Sequence, residues 1–420
     1  VLVYIGLMLG LFLSSLDQTI VTTALKAIVE DLGDQPLIPW LGSAYLLTAA
    51  PVQTLYGKFA DIFGRKWVFV FAISVFEIGS LICGAATSMA MLIAGRAIAG
   101  IGGGGIFSCV IIIISDIVSI RDRGKYQGAF GAVFGLASVV APLAGGLFVD
   151  HATWRWCFYL NLPLGAITLY TIIFMFPKDA VEGTFRDKIA RVDFLGGLAV
   201  CAATVALITP LQLGGSTWEW NSAPVYAMFV AAAVLAAVFV YIELKIAKEP
   251  IVPAGLFINS SVVVLLIIGV LMGAVFFGGF YFVTLYFQIV FGQSATQAGL
   301  SLVPLVIGLI FTSIGSGLFV SRYGKYKLFF FIGPVLLSGG IGLMSSLDAS
   351  SVEWMRFIYL MVFGMAMGSM MQMRIIALQS SVPRELIAVG TAVAQTAQSL
   401  GSALGVAIIG TLFNNCKHSQ

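Results

Sequence analysis

The chain has 420 residues, 60% of them apolar and only 10% charged, with a net charge of +3. That balance excludes a water-soluble globular protein and gives no basis for a nucleic-acid partner, because apolar runs of about 20 residues are the length that crosses a bilayer. Of five cysteines, Cys83, Cys109, Cys157 and Cys201 fall in or beside apolar runs and Cys416 lies in the tail; no CxxC or Cys/His spacing points to a metal or cofactor.

Hydropathy predicts thirteen spans, at 1–24, 39–56, 67–86, 89–115, 126–149, 156–176, 194–213, 224–244, 260–290, 297–320, 328–346, 355–379 and 386–412. The first carries Asp17 in the phrase LDQTIVTTAL at 16–25. The second holds Tyr45 and Gln53 and ends in the turn GKFADIFGRK at 57–66. Glu77 lies within the third span and Arg96 within the fourth, in GRAIAGIGGGG at 95–105. The four consecutive glycines there are not a phosphate loop, since no P-loop lysine follows them. Asp116, Arg121 and Arg123 mark the next polar turn. The fifth span is rich in glycine around a proline: Gly128, Gly131, Gly135, Pro142, Gly145 and Gly146. Small residues let helices approach closely, and proline removes a backbone hydrogen bond.

WRWCFYLNLP at 154–163 opens the sixth span, and the longest hydrophilic interval, 177–193, follows it. The ninth span is aromatic and includes Phe280 and Gln288. After the tenth, GLFVSRYGKYK at 317–327 repeats the 57–66 turn in worn form, with Ser321 in place of Asp61 and Gly324 in place of Gly64. If the two turns are equivalent, a second unit begins at span nine, and spans seven and eight are inserted between related halves. Such duplication is how secondary transporters are built. The division expected is 1–176 as a six-span bundle, 177–193 as a linker, 194–244 as the inserted pair and 245–420 as a second bundle lacking its last span. A fourteenth span and an upstream N-terminal segment are expected beyond the sequence.

Sixteen of the 22 Lys and Arg residues fall in loops on one side, four on the other, and Arg96 and Arg374 inside spans. By the positive-inside rule the 57–66 turn then faces the cytoplasm.

These phrases, in this order and on these spans, resemble the major facilitator superfamily. The resemblance is narrower to its fungal fourteen-span drug:proton antiporters, and it covers essentially the whole chain. Departures are Ile62 where a basic residue is usual after the Asp, Ala99 where Gln is usual, and Ala141 where Gly usually precedes Pro142. The resemblance implies an all-α membrane protein with two pseudo-symmetric six-helix bundles plus two inserted spans, thirteen of fourteen being present. It implies a proton-coupled exporter of small lipophilic, drug- or toxin-like compounds working by alternating access. It is not an enzyme and uses no cofactor. Its partners are a small-molecule substrate, protons and the bilayer, and it is a monomer, placed in the plasma membrane rather than the vacuolar membrane.

Charges within a bilayer are costly and mark functional positions. At 1.5 Å per residue, Asp17 lies roughly 10–12 Å, Glu77 about 13 Å and Arg96 about 10 Å from the outer ends of their spans. Asp17 is the first candidate for proton coupling, with Glu77 and Arg96 beside it; the bland alternative is a static Asp17–Arg96 pair. Gly57, Asp61, Gly64, Arg65 and Lys66, extended by Asp116 and Arg123, form a candidate conformational gate. Gly131, Gly135, Pro142, Gly145 and Gly146 form the segment that the resemblance associates with export. Tyr45, Gln53, Phe280 and Gln288 are candidates for an apolar, aromatic substrate cavity. Arg374 is expected to snorkel to the cytoplasmic interface. Two further readings stay open: a vacuolar proton-coupled transporter of basic amino acids, and a nutrient sensor of the same fold that binds without transporting.

Overall fold

The computed structural model describes residues 2–34, 37–119, 122–177, 184–215, 218–293, 295–348 and 351–418, without the side chains of residues 39, 295, 296 and 413–418. The path is helical nearly throughout, with no strand among the described residues beyond one isolated bridge between Gly214 and Trp218. The long helices, in chain order, are α1 (Leu2–Leu32), α2 (Ile38–Phe63), α3 (Arg65–Gly84), α4 (Met89–Ile117), α5 (Arg123–His151), α6 (Asn161–Met175), α7 (Phe194–Leu213), α8 (Ala223–Lys245), α9 (Ser260–Val290), α10 (Val303–Tyr323), α11 (Phe329–Ser345), α12 (Glu353–Ser381) and α13 (Ile387–His418).

Twelve helical segments among the described residues are long and apolar enough to cross a membrane, against the thirteen expected. The one that falls short is α2. It is 26 residues long, but Ser43, Thr48, Gln53, Thr54, Lys58 and Asp61 dilute its apolar character. Those polar groups face protein: Thr48 donates to the Ala97 carbonyl at 2.7 Å, and Thr54 meets Thr396 at 2.7 Å.

Packing repeats between the two halves. Helix α3 lies on α4 as α11 lies on α12; α2 lies on α4 as α10 lies on α12; α1 lies on α5 as α9 lies on α13. The halves meet along two seams, α2 on α13 and α10 on α5. Helix α7 packs against both α2 and α13, and α8 packs on α7. The repeated turns share a backbone feature. Gly64 (φ 93°) joins α2 to α3, and Gly324 (φ 70°) ends α10. Both lie in the left-handed region where a Cβ is strained, which is why glycine recurs there.

The α5–α10 seam is built on absent side chains. A Cβ added at Gly124 would meet the Gly317 carbonyl, at Gly128 the Ser313 carbonyl, at Gly131 the Ser313 side chain, and at Gly135 Val306 and Ile310. Farther along α5, Pro142 lies near Gly299, and Gly145 packs on Thr23 of α1, whereas Gly146 has open space. Gly146 therefore stands apart from the seam. The linker keeps a short helix, Phe185–Ala190, opened by a Thr184–Asp187 capping box; residues 178–183 of it, like Arg121, lie outside the described residues.

Candidate functional site

The N-terminal half encloses a polar cluster in an otherwise apolar core. Asp17 Oδ2 is ion-paired with Arg96 Nη1, and both side chains are almost fully buried. Arg96 Nε donates to the Leu41 carbonyl at 3.1 Å, and its guanidinium lies 4.6 Å from the centre of the Tyr45 ring. Tyr45 hydroxyl and Ser14 Oγ are 2.9 Å apart. On the other side Asn161 Nδ2 donates to Asp17 Oδ1 at 3.2 Å and to Ser80 Oγ at 3.1 Å. Five helices thus converge on one carboxylate: α1, α2, α3, α4 and α6. Two charges buried together survive only when their remaining polar positions are also satisfied, and these partners satisfy them.

Asn161 was not singled out from the sequence. The signal for it is a lone amide inside the WRWCFYLNLP phrase. The same phrase anchors the far end of the bundle. Arg155 Nη1 meets Asp31 at 2.7 Å, and Trp154 Nε1 donates to the same carboxylate at 3.0 Å.

Glu77 is buried on α3, one turn before Ser80, and packs against Gly165 of α6. Neither of its carboxylate oxygens has a hydrogen-bond partner among the described residues. It lies beside the Asp17 cluster without being bonded into it.

At the 57–66 end, Arg65 bridges two carboxylates, Asp61 Oδ1 and Asp116 Oδ2, each at 2.7 Å. Gly57 lets α2 approach α13, where an added Cβ would meet Ala392 and the Ala388 carbonyl. Lys66, expected in the same group, is placed elsewhere. Its Nζ donates to the Ile173 and Phe176 carbonyls at 2.7 and 2.8 Å, at the end of α6. Carbonyls at a helix C-terminus lack intrahelical partners and attract a cation. Arg123 reaches across the halves: it donates to the Ser115 carbonyl at 2.5 Å and to Gln379 Oε1 of α12 at 3.4 Å. Gln127 donates to the same Gln379 oxygen at 3.2 Å, and Gln379 Nε2 donates to Thr391 of α13 at 3.1 Å. Gln127, Gln379 and Thr391 were missed in the sequence because neutral amides and hydroxyls carry no motif.

Between the halves lies a cavity of about 120 Å³. Of the four residues considered for a substrate cavity, Tyr45 and Gln53 are among its lining, whereas Phe280 and Gln288 are not; Phe276 and Phe277 of the same helix take that wall. Phe280 and Gln288 share the helical side of Phe276 and Phe277 but lie farther along the α9 axis, and an aromatic run does not reveal the level at which a cavity sits. Arg374 is also corrected. It does not snorkel to the interface: it is fully buried, donating to the Ala394 carbonyl at 3.0 Å and to Gln398 Oε1 at 2.5 Å. Gly269 of α9 makes room for it, and no acidic side chain pairs with it among the described residues.

With this geometry in place, the comparisons decide the family. The family model of the Major Facilitator Superfamily matches residues 7–406. The chain belongs to the major facilitator superfamily. The facilitator is 38% identical over 416 residues to the MFS-type efflux pump MFS1 of Arthroderma benhamiae, covering 98% of this chain and 77% of that one. It is 35% identical to the efflux pump aflT of Aspergillus parasiticus, over 98% of this chain and 81% of that one. In fold it is similar to the human organic anion transporter MFSD10, with a TM-score of 0.69 at 15% identity, covering 98% of this chain and 93% of that one. It is similar as well to the proton:xylose symporter XylE, with a TM-score of 0.62 at 12% identity over 100% and 95% of the two chains. The facilitator is therefore a multi-pass integral membrane protein of a family that handles small molecules.

Proposed function

We propose that this facilitator is a fungal-type fourteen-span drug:proton antiporter that exports small lipophilic compounds by alternating access. The observation that carries the reading is Tyr45, which has the Arg96 guanidinium of the buried ion pair 4.6 Å from its ring centre and also lines the central cavity. A carboxylate that exchanges its guanidinium partner for a proton couples a proton to a conformational change; Asp17 is that carboxylate. Arg96 stabilises the charged form, and Glu77 is a second acid at the edge of the same cluster. Asp61, Arg65 and Asp116, with Gly57, Gly64 and Arg123, act as the gate at the cytoplasmic end, while Lys66 braces α6. The glycine seam of α5, through Gly131 and Gly135 with Pro142 and Gly145 beyond, is the surface on which the halves rock. The working unit is a monomer in the plasma membrane, divided as 1–176, 177–193, 194–244 and 245–420. The relatives named as efflux pumps support the direction of transport.

The test compares wild type with Asp17→Asn in cells carrying matched surface levels, following one neutral and one cationic lipophilic dye. Efflux that needs the proton gradient and collapses in the variant is the expected result. Gradient-driven efflux that persists in Asp17→Asn would remove Asp17 from the coupling role and leave Glu77. Absence of efflux for both dyes would turn attention to vacuolar basic amino-acid exchange, and then to sensing.

A further inference from the structure

The cavity is aromatic on several walls, yet its polar groups are of one kind. Among the described residues lining it there is no carboxylate, ammonium or guanidinium; the polar lining is side-chain amides and hydroxyls. Three of the amides turn their oxygen to a neighbour in the structure, and for Gln398 the chemistry of that neighbour fixes it. Gln398 Oε1 accepts from Arg374 Nη2 at 2.5 Å. A guanidinium has donors only, so the Gln398 atom facing it is oxygen and its NH₂ group is turned away. Gln53 Oε1 accepts from Ser399 Oγ at 2.9 Å, and Gln212 Oε1 accepts from Ser43 Oγ at 3.4 Å. None of the three NH₂ groups donates to a described residue. Their oxygens are engaged by the protein and their donors are left for a guest.

We propose that the cavity selects uncharged aromatic compounds whose carbonyl or ether oxygens accept hydrogen bonds from the side-chain amides of Gln53, Gln212 and Gln398, with Arg374 as the positioning residue for Gln398. The proposal rests on the exporter reading in taking this cavity as the substrate site. Burying an N–H donor without an acceptor is costly, so a hydrocarbon of the same shape loses affinity. A cation would have to shed its water to face donors, with no acidic group to receive it. Phe276, Phe277 and Tyr45 supply the flat walls that suit an aromatic frame. Gln212 belongs to α7, so one of the two inserted helices supplies part of the binding surface.

The test is fluorescence titration of the purified full chain in lipid nanodiscs. Four probes are used: neutral methoxycoumarin, its trimethylammonium and sulfonate derivatives, and naphthalene. Methoxycoumarin is expected to bind at least about tenfold tighter than the other three. Gln398→Glu keeps an oxygen facing Arg374 while removing the donor, so the fold is retained. It should weaken methoxycoumarin about tenfold and leave naphthalene unchanged. Gln212→Glu is the independent variant on α7 and should act in the same direction. Arg374→Met should lower methoxycoumarin affinity several-fold while sparing naphthalene, a change of selectivity that a merely structural role would not produce. The proposal is overturned if either charged derivative binds as tightly as methoxycoumarin, if both Gln→Glu variants leave its affinity unchanged, or if Arg374→Met weakens all probes alike. Binding carries this test by itself. Failure of gradient-driven transport in proteoliposomes would overturn the exporter reading and leave the binding order standing.

Discussion

The two halves pack alike but are charged differently. In the N-terminal half a buried arginine, Arg96, faces a carboxylate, and Asn161, Ser80, Tyr45 and Ser14 complete the cluster. In the C-terminal half a buried arginine, Arg374, faces only the carbonyl of Ala394 and the amide oxygen of Gln398. One arrangement can exchange a proton at its acid; the other has no group that titrates in a useful range, since a guanidinium keeps its proton. Common packing thus leaves the halves free to divide the work. On the exporter reading proposed above, proton chemistry belongs to the first, and the second helps to shape the cavity through a fixed amide.

Truncating the two arginines tests that contrast most severely. Arg96→Leu leaves Asp17 buried and uncompensated and should cost about 3–5 kcal/mol, seen as a large loss of thermal stability in detergent. Arg374→Leu strands only neutral acceptors and should cost about 1–3 kcal/mol. Equal losses would break the comparison. A smaller effect separates the glycines of α5. Gly131→Leu drives a side chain into Ser313 and Leu309 and should destabilise by about 1–3 kcal/mol or more, with transport lost. Gly146→Ala enters open space and should leave both stability and transport within error, or raise stability by about 0.5–1 kcal/mol.

The smallest effect concerns the ion pairs that tie the segments flanking α7 and α8 to α2. Glu249 meets Lys58 at 3.0 Å and Arg191 at 2.7 Å. The hydrogen bond from Arg191, aided by Lys58, holds the Glu249 carboxyl below the usual carboxylate range. Its contribution is therefore fully present above the unfolded value, about 4.3, and is lost as the pH falls through the lower folded value. Glu249→Gln should remove about 0.2–1 kcal/mol at pH 7, and the difference from wild type should vanish in unfolding measurements at strongly acid pH.

Much of the fold was legible because bilayer spans must be long and apolar and because the turns at 57–66 and 317–327 repeat. The similar depths of Asp17, Glu77 and Arg96 made contact possible without showing which pair touches, and the structure joins Asp17 to Arg96. Depth does not reveal which face of a helix a residue occupies, and hydropathy does not reveal the level at which a cavity lies. Arg374 was assigned to the interface from its distance along α12, while it in fact points inward to α13. Phe280 and Gln288 share the side of α9 that carries Phe276 and Phe277 but lie beyond the level of the cavity. Gln395, Gln398, Ser399 and Ser402 lie at helical spacing on α13, a polar stripe in an apolar span. That period is the sequence signal by which the amide lining could have been found.

Tyr45 is shared by two chambers: it lines the cavity, and its ring centre lies 4.6 Å from the Arg96 guanidinium of the buried ion pair. Neither chamber can change shape there without the other registering it. On the proposed exporter reading, a guest that shifts the ring disturbs the ion pair, and by thermodynamic reciprocity a change at the pair alters the affinity for the guest by the same factor. On that reading, communication between the pair and the cavity needs no long relay through the protein: it passes through a single shared ring.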